Sequence, residues 1–212
     1  MHAVIFDLDD TLYSLDMHRR NHLARAWHPW LQRLQSHERQ AVLDAAVNER
    51  IFFRDMPAFL TRHGVTSATE NDQLCAVSRD NWFQDMRLDE GVAPLLDAYK
   101  QRFRLGLITN GPSWTQRAKI IQLDLARWFD VMIVSGEFGV EKPHVTIFQH
   151  ALTQLGVSAA DTIMIGDNPE ADIRGAHATG MRAVWIAHPR QIYPADLAPP
   201  WRQVAHVCQL VL

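Results

Sequence analysis

Asp7 and Asp9 stand two residues apart just after Ala3-Val4-Ile5-Phe6, a short apolar run of the kind that forms a buried strand. Along an extended chain side chains alternate, so both carboxylates point to one side while Leu8 returns to the protein and Asp10 points away. Two like charges that close repel unless a cation or a shared proton offsets them. A hard divalent ion with oxygen ligands is the simplest such cation. The same residues also fit a turn whose aspartates cap a following helix.

Three further polar groups follow apolar runs or open helices. Thr109 ends such a run and leads into Asn110-Gly111, which offers a hydroxyl and backbone N–H groups suited to phosphate oxygens, or simply a tight turn. Lys142 precedes Pro143 at the start of a helical pattern. Of 21 basic residues only Lys100, Lys119 and Lys142 are lysine, so a lysine here runs against a strong bias toward arginine; a solvated surface charge is the ordinary alternative. Gly166-Asp167 ends Thr162-Ile163-Met164-Ile165, and Asp172 lies about a helical turn further on. Asp167 can reach a metal from the strand tip while Asp172 orients it from behind, although either could be a helix cap.

These groups need a frame that brings them together. Residues 17–34 and 37–53 carry apolar and aromatic residues at three- and four-residue spacing, Pro57 and Gly64-Val65-Thr66 punctuate the chain, and residues 70–86 read as a further helix. This block of about four helices has no convincing strand. Its aromatic residues Trp27, Trp30, Phe52, Phe53, Phe59, Trp82 and Phe83 are its expected core and its contact with the main domain. Helix and strand then alternate: a helix over 92–101, strands over 103–108 and 131–134, a helix capped by Ser113 and running through Leu123, and a helix opened by Glu141-Lys142-Pro143 and stopped at Gly156. A strand over 162–165, a helix over 171–178, a strand over 182–186, a proline-rich crossing over 189–200 and an edge strand over 203–207 complete the pattern. Such alternation predicts a parallel sheet with helices on both faces, and ligands of such sheets bind where the strands emerge.

A chain of 212 residues allows one core domain with a smaller inserted one, and 47% hydrophobic with 21% charged residues is an ordinary globular balance. A net charge of −3 argues against a nucleic-acid partner. The absence of a long apolar run or a charged leader argues against a membrane partner and for a cytoplasmic protein. Cys75 and Cys208 make neither a disulfide framework nor a metal cluster, and read as buried thiols.

Taken in order, Asp7-Leu8-Asp9-Asp10-Thr11, Thr109, Lys142, and Gly166-Asp167 with Asp172 resemble the four motifs of the haloacid dehalogenase-like (HAD) superfamily of hydrolases, in subfamily IA with a helical C1-type cap. The resemblance implies an α/β fold: a Rossmann-like, doubly wound parallel sheet over residues 1–13 and 90–212, with a helical-bundle cap inserted over 14–89. It also implies a Mg²⁺-dependent phosphatase acting on a small phosphorylated metabolite such as a nucleotide or sugar phosphate. Asp7 would attack phosphorus and form an aspartyl-phosphate, with Mg²⁺ held by Asp7, the Asp9 carbonyl and Asp167. Asp9 would protonate the leaving oxygen and later take a proton from water. Thr109, Asn110 and Lys142 would hold the phosphoryl oxygens, with Thr11 and Asp172 in supporting positions. In the cap, Arg54 follows an aromatic pair and precedes Pro57, where a break between helices could aim it at a second anionic group. A phosphomutase of the same superfamily shares these motifs, and a non-catalytic phospho-ligand-binding protein would be expected to have lost a core carboxylate. Dehalogenases of the superfamily lack the second acid, so Asp9 argues against that chemistry.

Overall fold

Ala3–Phe6 forms β1 and is buried along its whole length, as an unbroken apolar run requires of a strand covered on both faces. Beside it lie β2 (Arg104–Thr109), β3 (Val131–Val134), β4 (Thr162–Gly166), β5 (Arg182–Ile186) and β6 (Arg202–Val204), in the order β3-β2-β1-β4-β5-β6. Every neighbouring pair is parallel, with Ile5 opposite Gly106 on one side and Met164 on the other. The chain moves outward from β1 to β2 and β3, then crosses back to β4. The order therefore reverses at β1, and the ends of β1, β2 and β4 make the crevice where doubly wound sheets bind ligands. The computed structural model describes residues 1–189 and 191–212, so Arg190, within the expected proline-rich crossing, lies outside the described residues.

The chain divides into two compact units, Met1–Ser14 with Leu88–Leu212, and Leu15–Arg87. In the first unit the Ser14 amide donates to Asp89 Oδ1 at 3.0 Å and the Asp89 amide to the Leu12 carbonyl at 3.1 Å, which stitches together the two places where the chain leaves and returns.

The second unit is helical: α1 (Leu15–Ala26), α2 (His28–Leu31), α3 (Ser36–Asn48), α4 (Met56–Arg62) and α5 (Ala68–Asp80). Leu23, Trp27, Trp30, Leu43, Phe59 and Leu60 belong to its core, and Trp27 stacks on Phe59 with ring centroids 5.7 Å apart. Phe52 departs from expectation, being exposed. The helix expected over 17–34 is broken after Ala26, because Pro29 has no N–H and its ring would strike the carbonyl four residues back. The one expected over 37–53 ends at Asn48, two residues before Arg50 turns left-handed at φ 49°. Pro57 opens α4 rather than interrupting a helix.

In the first unit α6 (Val92–Lys100), α7 (Ser113–Gln122), α8 (Ser135–Phe138), α9 (Val145–Leu155) and α10 (Arg174–Thr179) complete the fold. Ala3, Ile5, Ile108 and Met164 share a buried cluster with Ile147, Phe148 and Leu155 of α9, while Phe6 meets the rings of Tyr99 and Phe129. Ser113 is not the cap of α7 but its first residue; Pro112 is the capping position and the Ser113 hydroxyl donates to Glu137 at 2.6 Å. Glu141-Lys142-Pro143 forms a turn ahead of α9, which starts only at Val145 and is capped by the His144 ring. Cys75 and Cys208 are free and half-buried, not the fully buried thiols expected.

Candidate active site

The ends of β1, β2 and β4 carry Asp7, Thr109 and Asp167, and the turn before α9 carries Lys142. Lys142 Nζ donates to Asp7 Oδ1 at 2.5 Å, Asp172 Oδ1 at 2.7 Å and the Ile108 carbonyl at 2.8 Å. Those three acceptors use every hydrogen an ammonium has. Asp7, Lys142 and Asp172 are all buried, so one cation is held between two anions away from water. Burial alone would lower the lysine's pKa; Asp172 and Asp7 outweigh it and push it up, which keeps the side chain charged.

The turn that aims Lys142 is tied to the end of β2. Asn110 donates through Nδ2 to the Lys142 carbonyl at 3.0 Å and accepts at Oδ1 from the Lys142 amide at 2.9 Å. Its side chain is thus a strut, and any part it takes in holding an anion falls to its main chain. The next loop supports the same turn: the Gly111 amide donates to Ser135 Oγ at 2.9 Å and the Gly136 amide to the Gly111 carbonyl at 3.1 Å. Thr11, expected at the first turn, lies with its hydroxyl 3.5 Å from Asp7 Oδ2.

Carboxylate oxygens of Asp7, Asp167 and Asp172 lie within 4.8 Å of one another. Asp172, expected to orient Asp167, lies in this cluster with its oxygens engaged by Lys142 and the Asn168 amide. Gly166 allows this, since a Cβ there would overlap the Asp172 carboxylate. Neither Asp167 nor Asp172 is a helix cap: Asn168 takes that place, accepting from the Glu170 and Ala171 amides ahead of a π-helical turn over Pro169–Ile173. Burial pushes Asp7 up to about 7, with Lys142 opposing and Asp172 and Asp9 adding to the rise. Burial pushes Asp167 up to about 8, reinforced by Asp7, Asp172 and Asp10. Three carboxylates with one lysine among them leave negative charge in excess, and an all-oxygen donor set of this kind fits a hard divalent cation.

Asp9 has a separate set of partners. Lys119 Nζ donates to Oδ1 at 2.7 Å and to Oδ2 at 2.8 Å, Gln116 Nε2 donates to Oδ2 at 3.0 Å, and the Tyr13 hydroxyl donates to Oδ1. Burial pushes Asp9 up, but the Lys119 ammonium and the hydrogen bonds from Lys119, Tyr13 and Gln116 outweigh it and hold the carboxyl below its ordinary value. Gln116 also donates to Thr109 Oγ1 and so joins Asp9 to the end of β2. None of Lys119, Gln116 and Tyr13 was singled out from the sequence for this site, yet the scarcity of lysine that drew attention to Lys142 applies equally to Lys119.

Arg54 belongs to the helical unit, where its side chain is 87% exposed and its Nε lies 3.5 Å from Asp55. No helix among the described residues is long and apolar enough to cross a membrane.

A family model described as haloacid dehalogenase-like hydrolase matches residues 1–180. Phosphoserine phosphatase of Thermus thermophilus is 40% identical over 107 residues, which are 50% of this chain and 42% of that protein. N-acylneuraminate-9-phosphatase of Rattus norvegicus is 42% identical over 127 residues, 59% of this chain and 51% of that one. The chain thus spans about half the length of these curated relatives. Among solved structures, 2-haloacid dehalogenase from Pseudomonas syringae pv. Tomato is 25% identical with a TM-score of 0.61, covering 99% of this chain and 96% of that one.

Proposed function

Because this chain belongs to the haloacid dehalogenase-like hydrolase family, we propose that it is a phosphatase that hydrolyses a small phosphomonoester, such as a nucleotide or sugar phosphate, through an aspartyl-phosphate on Asp7. The observation that carries this reading is the buried Asp7 carboxylate held by Lys142 at a sheet edge shared with Thr109 and Asp9. The phosphatase names of the two relatives support it.

In the first half-reaction an Asp7 oxygen bonds to phosphorus as the bond from phosphorus to the leaving oxygen breaks, and Asp9, which must enter this step protonated although Lys119 favours its ionised form in the free protein, gives that oxygen a proton. In the second, Asp9 takes a proton from a water whose oxygen bonds to phosphorus as the bond to Asp7 breaks, releasing inorganic phosphate and restoring both aspartates. Thr109 supplies a hydroxyl, and Lys142, whose three hydrogens already bind protein acceptors, supplies a fixed positive charge beside the phosphoryl oxygens, so little reorganisation is needed as charge develops. Mg²⁺, held by Asp7 and Asp167 with the Asp9 carbonyl and with Asp172 close by, would neutralise phosphoryl charge. The helical unit, with the exposed Arg54, is assigned substrate selection.

The similarity to a dehalogenase favours a second reading, hydrolysis of a carbon–halogen bond at Asp7. That chemistry has no leaving oxygen to protonate, and so gives no catalytic task to Asp9 and the three side chains gathered on it. A phosphomutase would pass the phosphoryl group back to a sugar instead of to water. The deciding experiment offers the purified protein 4-nitrophenyl phosphate, a panel of phosphorylated metabolites and 2-chloropropionate, with Mg²⁺ or a chelator. Phosphate release that needs Mg²⁺ and is lost in Asp7→Asn is expected; chloride release, or turnover undiminished by the chelator, would overturn the proposal.

A further inference from the structure

We infer that Lys119 is a positioning residue for the acid–base carboxylate, its ammonium bridging both oxygens of Asp9 and fixing the angle at which that group meets the reacting oxygens; the inference rests on the phosphatase reading above. A carboxylate held through one oxygen can still turn about its Cβ–Cγ bond. Held at 2.7 Å and 2.8 Å through both, it cannot turn without breaking a charge-assisted hydrogen bond. Proton transfer in either half-reaction needs the carboxyl oxygen within hydrogen-bond reach of its partner, so loss of angle costs rate even when the group is present.

The rest of the surroundings define what that angle is measured against. Gln116, one helical turn before Lys119 on the buried face of α7, donates both to Asp9 Oδ2 and to Thr109 Oγ1. The orientation of Asp9 is thereby referred to the threonine assigned to the phosphoryl group. α7 is itself pinned from its outer side, where Ser113 and Arg117 bind Glu137 of α8 at 2.6 Å and 2.8 Å. Lys119 is buried, whereas a lysine serving only as surface charge would be solvated.

A double-mutant cycle tests the inference, with turnover measured on 4-nitrophenyl phosphate and on a simple alkyl phosphate. Lys119→Met is expected to lower kcat on the alkyl ester about a hundredfold, toward the lower end of what acid–base assistance contributes. KM and first-turnover release of nitrophenolate, which leaves without a proton, should change by no more than about threefold. Lys119→Arg, which keeps a charge and two donors, should recover part of the loss. In an Asp9→Asn background Lys119→Met should cost less than about twofold, because the group it acts through is gone. If Lys119→Met does not fold, Lys119→Gln carries the same cycle. First-turnover release of nitrophenolate falling as far as turnover of the alkyl ester, or the same loss in the Asp9→Asn background, would make Lys119 merely structural and overturn the inference; so would a fully active Lys119→Met. Wild-type protein inactive on both esters would overturn the phosphatase reading and this inference with it, whereas additive losses in an active enzyme would overturn this inference alone.

Discussion

Lys142 satisfies two buried carboxylates at once, so its removal strands both. Lys142→Met is expected to abolish turnover and to lower folding stability by about 3–5 kcal/mol, as loss of one partner from a buried ion pair does; chemical denaturation at matched pH measures it. Asp167 makes the opposite case. Its pKa is raised from 3.8 to about 8 by burial and by its acidic neighbours. As pH climbs from about 4 to about 8 the unfolded chain ionises at this position and the folded chain resists, so Asp167 increasingly disfavours the fold of the metal-free protein across that window. In a chelator at pH 9, Asp167→Asn should therefore melt at a higher temperature than wild type. With excess Mg²⁺ the order should reverse, since only the intact carboxylate set gains from binding the cation. Melting in the same order under both conditions would remove Asp167 from the metal site.

At the scale of elements, the short strands deliver their chemistry only because neighbouring backbone comes close behind them. A Cβ on Gly166 would occupy the place of the Asp172 carboxylate, so Gly166→Ala should push Asp172 away and release one anchor of Lys142. Destabilisation of about 1–3 kcal/mol is expected, with kcat falling more than KM rises; a variant with wild-type kcat would show that Asp172 can be displaced without harm. The strands β1, β3 and β5 could be read from the sequence because an apolar run bounded by polar residues is a local signal, and motif residues just after such runs inherit their positions. Helix ends were less legible. Pro29 breaks a pattern whose periodicity continues past it, and Glu141-Lys142-Pro143 stays a turn although proline also suits a first helical turn. Lys119 was passed over because its partner, Asp9, is 110 residues away in the chain. A helical pattern shows which face is buried, not which carboxylate a long side chain will meet.

For the whole molecule, strand–helix alternation accounts for strands that are all parallel, whereas the order β3-β2-β1-β4-β5-β6, which reverses at β1, has no local signal in the sequence. Substrate choice has no local signature either, and the proposal assigns it to the unit Leu15–Arg87. Arg54 offers a clean test there. Its side chain is 87% exposed beside Asp55, and an exposed pair of that kind contributes little to folding, about 0–1 kcal/mol. Arg54→Ala should therefore melt within a degree or so of wild type, and any kinetic effect must come from the lost guanidinium rather than from a damaged fold. If Arg54 meets a second anionic group, KM for the best metabolite should rise about tenfold, roughly the worth of one charge-assisted hydrogen bond, while a small aryl phosphate with no second anion is hydrolysed as before. Asp9→Asn should behave differently, slowing the metabolite by about 10²–10⁴ with its KM little changed. Unchanged KM for every metabolite in Arg54→Ala would take that residue out of substrate selection and leave the chemistry of Asp7, Asp9, Thr109 and Lys142 as proposed.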